Sequence, residues 1–270
     1  MKSPLENRKR PRSSTRPSPL ASSPQRAEGA LVIFAKAPVP GQVKTRLCPP
    51  LTQDEAATLH GSFVLDTLER TKAVIAKERL SIDRYIACLP STSLVFFKIL
   101  EERHGVRLLD QVGDDLGQRM HRAFVDLFGR GYRQVFIVGT DVPTLPFSIY
   151  QQAVSLIESH DLVLGPASDG GYYLIGLKHP MPELFTDVPW STANVLAATR
   201  RNASTLGLTV GVLKEWRDVD VADDLRALIQ DCAQDMKRPK HERVFSARTA
   251  GTLQLLDQRL RSRRRNQHLR

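Results

Sequence analysis

The chain is poor in cysteine, with only Cys48, Cys88 and Cys232 in 270 residues. Three is an odd number, and their spacing fits neither a disulfide framework nor a zinc pattern, so they read as reduced packing thiols. No apolar run approaches the ~20 residues that a membrane-crossing helix needs. The first residues lack the apolar stretch of a secretion signal. A soluble, cytoplasmic protein without a membrane span is therefore expected. The seven histidines form no metal signature; His60, His104, His121, His160 and His179 stand isolated. No Ser-His-Asp order stands out either, which puts zinc-enzyme and hydrolase readings well behind. No internal repeat is evident.

What is present is charge, unevenly spread. The net charge is +10, which would suggest a nucleic-acid binder if it were uniform. Residues 1–28 carry +5 and residues 237–270 carry +9, so the middle is mildly acidic at −4. The ends have the composition of solvated arms. The sequence thus divides into a disordered basic arm over 1–28, one domain over 29–236 and a basic C-terminal extension over 237–270. Arms such as Asn7-Arg8-Lys9-Arg10 or Arg263-Arg264-Arg265 are the only places where nucleic acid, anionic lipid or a transport receptor would be engaged. They motivate the alternative reading, a non-catalytic nucleotide-binding or scaffold protein.

Between the arms, short β-branched runs alternate with amphipathic stretches, the pattern of βαβ units around a largely parallel sheet. Strands are expected at 31–34, 84–89, 106–109, 134–138, 161–164, 172–177 and 208–213. Helices are expected from Thr52, whose hydroxyl and Glu55 make a capping box, to about Lys77, and at 94–103, 116–128, 146–158, 192–206 and 222–229. In such a sheet ligands sit beyond the carboxyl ends of strands, near the point where strand order reverses. The unusual residues fall in those loops.

The first loop, Ala35-Lys36-Ala-Pro-Val-Pro-Gly41-Gln-Val-Lys44-Thr45-Arg46-Leu47, joins a flexible glycine to three cations, Lys36, Lys44 and Arg46. Gly41 permits close approach of backbone amides to phosphate oxygens, Lys44 is a compact charge, and Arg46 is a two-pronged fork. The order is not that of a Walker A loop. In Gly139-Thr140-Asp141, a carboxylate is presented at the end of an apolar strand. Magnesium, or manganese in its place, takes one or two carboxylates together with waters and substrate phosphates. Asp218-Val-Asp220 supplies a second acid, Asp220 being the choice, although it is also placed to cap the following helix. Thr140 joins the candidate nucleotide-binding residues.

Asp169-Gly170-Gly171 lets backbone approach a ligand and offers Asp169 to an acceptor hydroxyl; the same letters signal a hairpin turn. Gly113-Asp114-Asp115-Leu116-Gly117 places two glycines before a helix, where amides can hold a nucleobase or ribose, or where Asp115 simply caps the helix. Trp190 in Pro189-Trp190-Ser191-Thr192 either covers a ligand or closes the core.

Taken together, FAKAPVPGQVKTRL (34–47), GDDLGQRM (113–120), GTDVPTL (139–145), LGPASDGGYYLIGL (164–177), PWST (189–192) and DVDVADDL (218–225) closely resemble a bacterial family of glycosyltransferase-A-like proteins, some associated with arsenosugar biosynthesis genes. The resemblance spans about residues 30–230. The family is also similar to phospholactate guanylyltransferase and the molybdenum-cofactor nucleotidyltransferases. It implies a Rossmann-like, mostly parallel α/β sheet with helices on both faces, and Mg²⁺ between Asp141 and Asp220. It also implies a nucleoside triphosphate or nucleotide-sugar donor and a small-molecule acceptor. On the reading of the residues themselves, Lys44, Arg46 and Asp169 are the catalytic candidates, and Lys36, Gly41, Lys44, Arg46, Gly113, Gly117, Thr140 and Gly170 the candidates for binding nucleotide. An Asp-x-Asp is missing at the central strand end, where Gly139 and Pro143 flank Asp141. That favours nucleotidyl over glycosyl transfer without deciding it.

Overall fold

The computed structural model describes residues 27–268. A seven-stranded sheet runs in the order β3-β2-β1-β4-β6-β5-β7, with β1 at Gly29–Lys36, β2 at Ile82–Leu89, β3 at Arg107–Asp110, β4 at Gln134–Val138, β5 at Leu162–Pro166, β6 at Tyr172–Leu177 and β7 at Val210–Val212. β1 pairs in parallel with both β2 and β4. Two buried faces explain why its residues 30–33 are apolar without alternation. β6 is the antiparallel member, set between β4 and β5. Strand order reverses between β1 and β4, and the carboxyl ends of the strands beside that point are where open sheets of this kind bind ligands.

The helices are α1 (Gln53–Lys77), α2 (Val95–His104), α3 (Leu116–Gly129), α4 (Phe147–Ser159), α5 (Val195–Thr205), α6 (Ala222–Asp235) and α7 (Ala247–His268). On one face of the sheet, Val64 and Leu68 of α1, Phe97 of α2 and Ile149 of α4 pack on Ile33, Ile86 and Phe136. Phe124 and Leu127 of α3, with Ala203 of α5, cover Val32, Tyr85 and Ile137 on the other. Each such buried large side chain contributes about 1.5–3 kcal/mol. The α1 capping box forms as the sequence reads. Glu55 N–H donates to Thr52 Oγ1 at 3.2 Å, and Thr52 N–H donates to Glu55 Oε2 at 2.8 Å. The Rossmann-like, mostly parallel α/β fold with helices on both faces is what the sheet shows.

The structure departs from the sequence reading in the C-terminal extension. Solvated-arm composition does not hold for its described part. Phe245, Ala250, Leu253 and Leu256 enter a third core cluster with Leu47, Phe63, Val219 and Leu228. The apolar residues of α7 recur every three or four positions among many arginines, so the bulk charge hides a buried stripe. Asp66 of α1 anchors the start of this helix, accepting from Ser246 Oγ, Thr249 Oγ1 and Arg248 Nη1 at 2.7, 2.7 and 2.8 Å. α6 runs on to Asp235, past the expected Ile229, because Leu228 and Cys232 extend its apolar face into the same cluster. α5 starts at Val195, three residues later than read, since the Thr192 hydroxyl serves the preceding turn by donating to Pro189 O. The N-terminal arm to residue 26 lies outside the described residues.

Candidate active site

The first loop and two acids meet beside the carboxyl ends of β1 and β4. The loop leaves β1 at Lys36, turns at Gly41 with φ +78°, and reaches Lys44 with φ 49°. A left-handed conformation at a non-glycine residue costs on the order of 1 kcal/mol and persists where contacts over-determine it. Here the contacts belong to the ammonium. Lys44 Nζ lies 2.7 Å from Asp141 Oδ1 and donates to Val219 O at 2.7 Å; Asp220 Oδ1 is 4.0 Å away. Its side chain is 4% exposed. Arg46, in the short 3-10 turn Thr45–Leu47, donates to Asp220 Oδ2 at 2.5 Å while its side chain remains 69% exposed.

Backbone pairing fixes the two acids relative to each other. Val219 N–H donates to Asp141 O at 3.0 Å, which draws the 218–220 segment onto the end of β4. Asp220 does not cap α6. Asp224 does that work, accepting the Asp220 and Val221 amides through Oδ2 and leaving the Asp220 carboxylate for the cations. Burial alone would raise the Asp141 carboxyl. The Lys44 ammonium, helped by His60 and Lys36, reverses that and holds it below the usual aspartate range. Half of the Asp141 side chain is open to solvent. Oδ1 itself is covered, so the opening lies on the rest of the group.

Asp218 is buried and accepts from Ser168 Oγ at 3.1 Å. Burial, then the neighbouring Asp169 charge, raises its carboxyl. Asp169 sits in the tight connection between β5 and β6, where its Oδ1 accepts the Gly171 amide at 2.8 Å. The hairpin reading of Asp-Gly-Gly is therefore realised, and the hairpin stands on the acidic side of the site. Gly170, with φ +87°, admits no side chain: a Cβ would stand 2.1 Å from Ala193 O.

Lys36 is exposed at the strand end, with its carbonyl facing His60 Nε2 at 3.0 Å. Thr140 is buried beside Asp141. Gly113 and Gly117 lie on the same edge of the sheet, where each has a packing reason. A Cβ on Gly113 would meet Gln118 at 2.6 Å, and one on Gly117 would meet the Trp190 ring at 2.5 Å. Asp115 caps α3 by accepting the Gln118 amide at 2.8 Å, and Trp190 stacks near Phe185 against the core. Among the described residues, no hydrogen bond or ion pair joins this glycine pair to the Lys44 group.

His60, expected to be a surface or core residue, is buried, with its Nε2 facing the Lys36 carbonyl. The residue is 4% exposed; burial lowers its pKa, while Asp141 acts in the opposite sense. Nothing in the spacing of α1 separates it from an ordinary core residue. The Val219 carbonyl, a direct Lys44 partner, is backbone and carries no sequence signal.

Among the described residues, no cluster of three or more His, Cys, Asp or Glu side chains is arranged to hold a metal. The protein offers two carboxylates already converging on one cation. That suits a small hard ion completing its shell with phosphates and water, as Mg²⁺ does, and does not suit an ion that needs a full protein cage.

The family model described as "Uncharacterized protein conserved in bacteria (DUF2064)" matches residues 71–192. A comparison with curated proteins finds no match. Among solved structures, a protein of Desulfovibrio desulfuricans G20, provisionally described as a nucleotide-diphospho-sugar transferase, is 32% identical; the match covers 87% of this chain and 98% of that one, with a TM-score of 0.74. Two remoter likenesses have TM-scores of 0.49. One is a CMP:2-keto-3-deoxy-manno-octonic acid synthetase complexed with CTP, 10% identical over 77% of this chain and 99% of the other. The second is a cytidylyltransferase of Leptospira borgpetersenii, 14% identical over 87% and 95%. Identity above 30% across nearly the whole length, on a sheet of this order, shows that the chain belongs to the nucleotide-diphospho-sugar transferase superfamily.

Proposed function

We propose that the protein is a nucleotide-dependent transferase that moves a nucleotidyl group from a nucleoside triphosphate to a small phosphorylated or otherwise anionic acceptor. The observation that carries this reading is the meeting of Lys44 and Arg46 with Asp141 and Asp220 at the strand-order reversal. An acceptor oxygen attacks the α-phosphorus, the bond from that phosphorus to the bridging oxygen breaks, and pyrophosphate leaves with the electron pair. Charge grows on the leaving group during this step, and cations in fixed positions stabilise it most. Arg46, exposed and forked, can grip two of its oxygens. Lys44 supplies a charge shielded from water, worth more there than at an open surface. Asp141 and Asp220 would hold Mg²⁺ or Mn²⁺, which supplies charge neutralisation to the donor phosphates.

Glycyl amides around Gly41 and the exposed Lys36 line the approach for the donor. Asp169, at the hairpin on the acidic side, faces the region left for the acceptor. Purified protein incubated with each triphosphate, Mg²⁺ and a panel of phosphorylated acceptors should release pyrophosphate. No release from any combination, with the protein folded, would refute nucleotidyl transfer.

The description of the Desulfovibrio relative favours a second reading, glycosyl transfer from a nucleotide sugar. Asp169 would then position or deprotonate the acceptor hydroxyl. Thermal shifts separate the two: stabilisation by nucleotide sugars beyond that given by triphosphates supports the second reading, and the reverse order supports the first.

A further inference from the structure

Lys44 stands where a divalent cation between Asp141 and Asp220 would stand. Its ammonium donates to Val219 O at 2.7 Å and lies in ion-pair contact, also at 2.7 Å, with Asp141 Oδ1, which has no hydrogen-bond partner of its own among the described residues. Asp220 Oδ1 stands 4.0 Å away, too far for a hydrogen bond. Arg46 takes the other Asp220 oxygen. Both acids are therefore already neutralised by the chain's own cations. A divalent ion entering alone would meet an ammonium at the inner oxygen of Asp141, and like charges at that separation repel strongly away from bulk water. Lysine is a point charge on a flexible stem and can swing to a nearby oxyanion with little loss. Donor phosphates provide that oxyanion.

We infer that Lys44 is a resident stand-in for the divalent ion. Its ammonium holds the two acidic loops in register, and it is handed to the donor phosphates when the metal takes its place between the carboxylates. This rests on the metal assignment under Proposed function and adds a consequence to it. Metal and polyphosphate must tighten one another's binding, since each removes what obstructs the other, and that coupling is reciprocal.

The test is Mn²⁺ binding, followed by calorimetry and by the electron paramagnetic resonance of the free ion, on the full-length protein. Lys44→Met should bind Mn²⁺ alone at least tenfold more tightly than the wild type. The gain should vanish in Lys44→Met/Asp141→Asn. For the Mn²⁺–pyrophosphate complex the order should invert, with Lys44→Met binding at least tenfold more weakly. If Lys44→Met binds Mn²⁺ alone no better than the wild type, the stand-in role is overturned, while the metal assignment survives as long as wild type binds. No Mn²⁺ binding in any arm, pyrophosphate included, overturns the metal assignment and the stand-in with it.

A measurement on unaltered protein decides the matter should Lys44→Met fail to fold. Lys44 is 4% exposed and should resist acetylation by acetic anhydride. Saturating Mg²⁺ without phosphate should raise its labelling, read by mass spectrometry, at least threefold relative to other lysines. Unchanged protection would overturn the proposal.

Discussion

Replacing Asp66 by alanine tests whether the C-terminal helix is part of the fold. The Asp66 side chain is 1% exposed and accepts three hydrogen bonds from the first turn of α7. Thr249, one of the donors, is fully buried, so its hydroxyl would lose its acceptor away from water. Arg248 is 35% exposed and keeps Glu69 as a partner at 2.8 Å, which softens the loss of charge pairing. A buried polar group left unmatched costs about 1–3 kcal/mol, and a broken buried ion pair about 3–5. Partial exposure of Arg248 places the sum near the low end, at about 3 kcal/mol. In a domain of this size that is a fall in Tm of roughly 6–12 °C. Urea unfolding followed by circular dichroism measures it, with Asp66→Asn expected to lose about half as much because an acceptor oxygen remains. Amide exchange should also quicken at Leu47–Leu51, because α7 reaches that segment through Arg259, which donates to Pro50 O at 3.1 Å. A loss below about 1 kcal/mol for Asp66→Ala would refute the anchoring argument.

Arg46→Ala removes an exposed side chain at the site and should leave Tm within about 2 °C while lowering the transfer rate by about 10²-fold; an unchanged rate under saturating donor would exclude Arg46 from stabilising the leaving group. Asp218 is raised by burial and by Asp169. Its contribution to stability is therefore full below the unfolded aspartate value near 3.9 and lost as pH rises through the higher folded value. Asp218→Asn should accordingly raise Tm at pH 7 and lose that advantage by about pH 3.5, whereas a pH-independent difference would contradict the assignment. Gly170→Ala combines φ +87° with a Cβ 2.1 Å from Ala193 O; soluble yield or urea midpoint should fall by the equivalent of at least about 2 kcal/mol, and a stable variant would show that the β5–β6 turn can shift freely.

Strands and helices were legible where one physical pattern ruled. β1 reads from its unbroken apolar run, and α1 from Thr52 and Glu55, and both stand within two residues of expectation. α7 did not read, because eleven cations among the last 34 residues masked a stripe that needs only Phe245, Ala250, Leu253 and Leu256 to dock. At the site, residue types pointed to Lys44, Arg46, Asp141 and Asp220 as candidates, since cations and acids in loops at strand ends can serve a polyphosphate and its metal. That these loops would gather on one edge was legible; that the cations would pair directly with the acids was not. That pairing depends on Val219 N–H closing on the Asp141 carbonyl, a backbone contact between positions far apart in the chain. His60 was hidden for a similar reason: a histidine on an apolar helix face carries no mark of the loop it will sit beneath.

The third core cluster has a practical consequence. Leu47 neighbours Arg46, Val219 separates Asp218 from Asp220, and both insert among the apolar side chains of α6 and α7. Shortening the chain near residue 238, as its arginine-rich composition invites, would remove the α7 side of that backing, with Phe245, Ala250, Leu253 and Leu256, and leave only the α1 and α6 side chains behind both segments. A preparation trimmed that way and found inactive would report on missing support, not on missing chemistry.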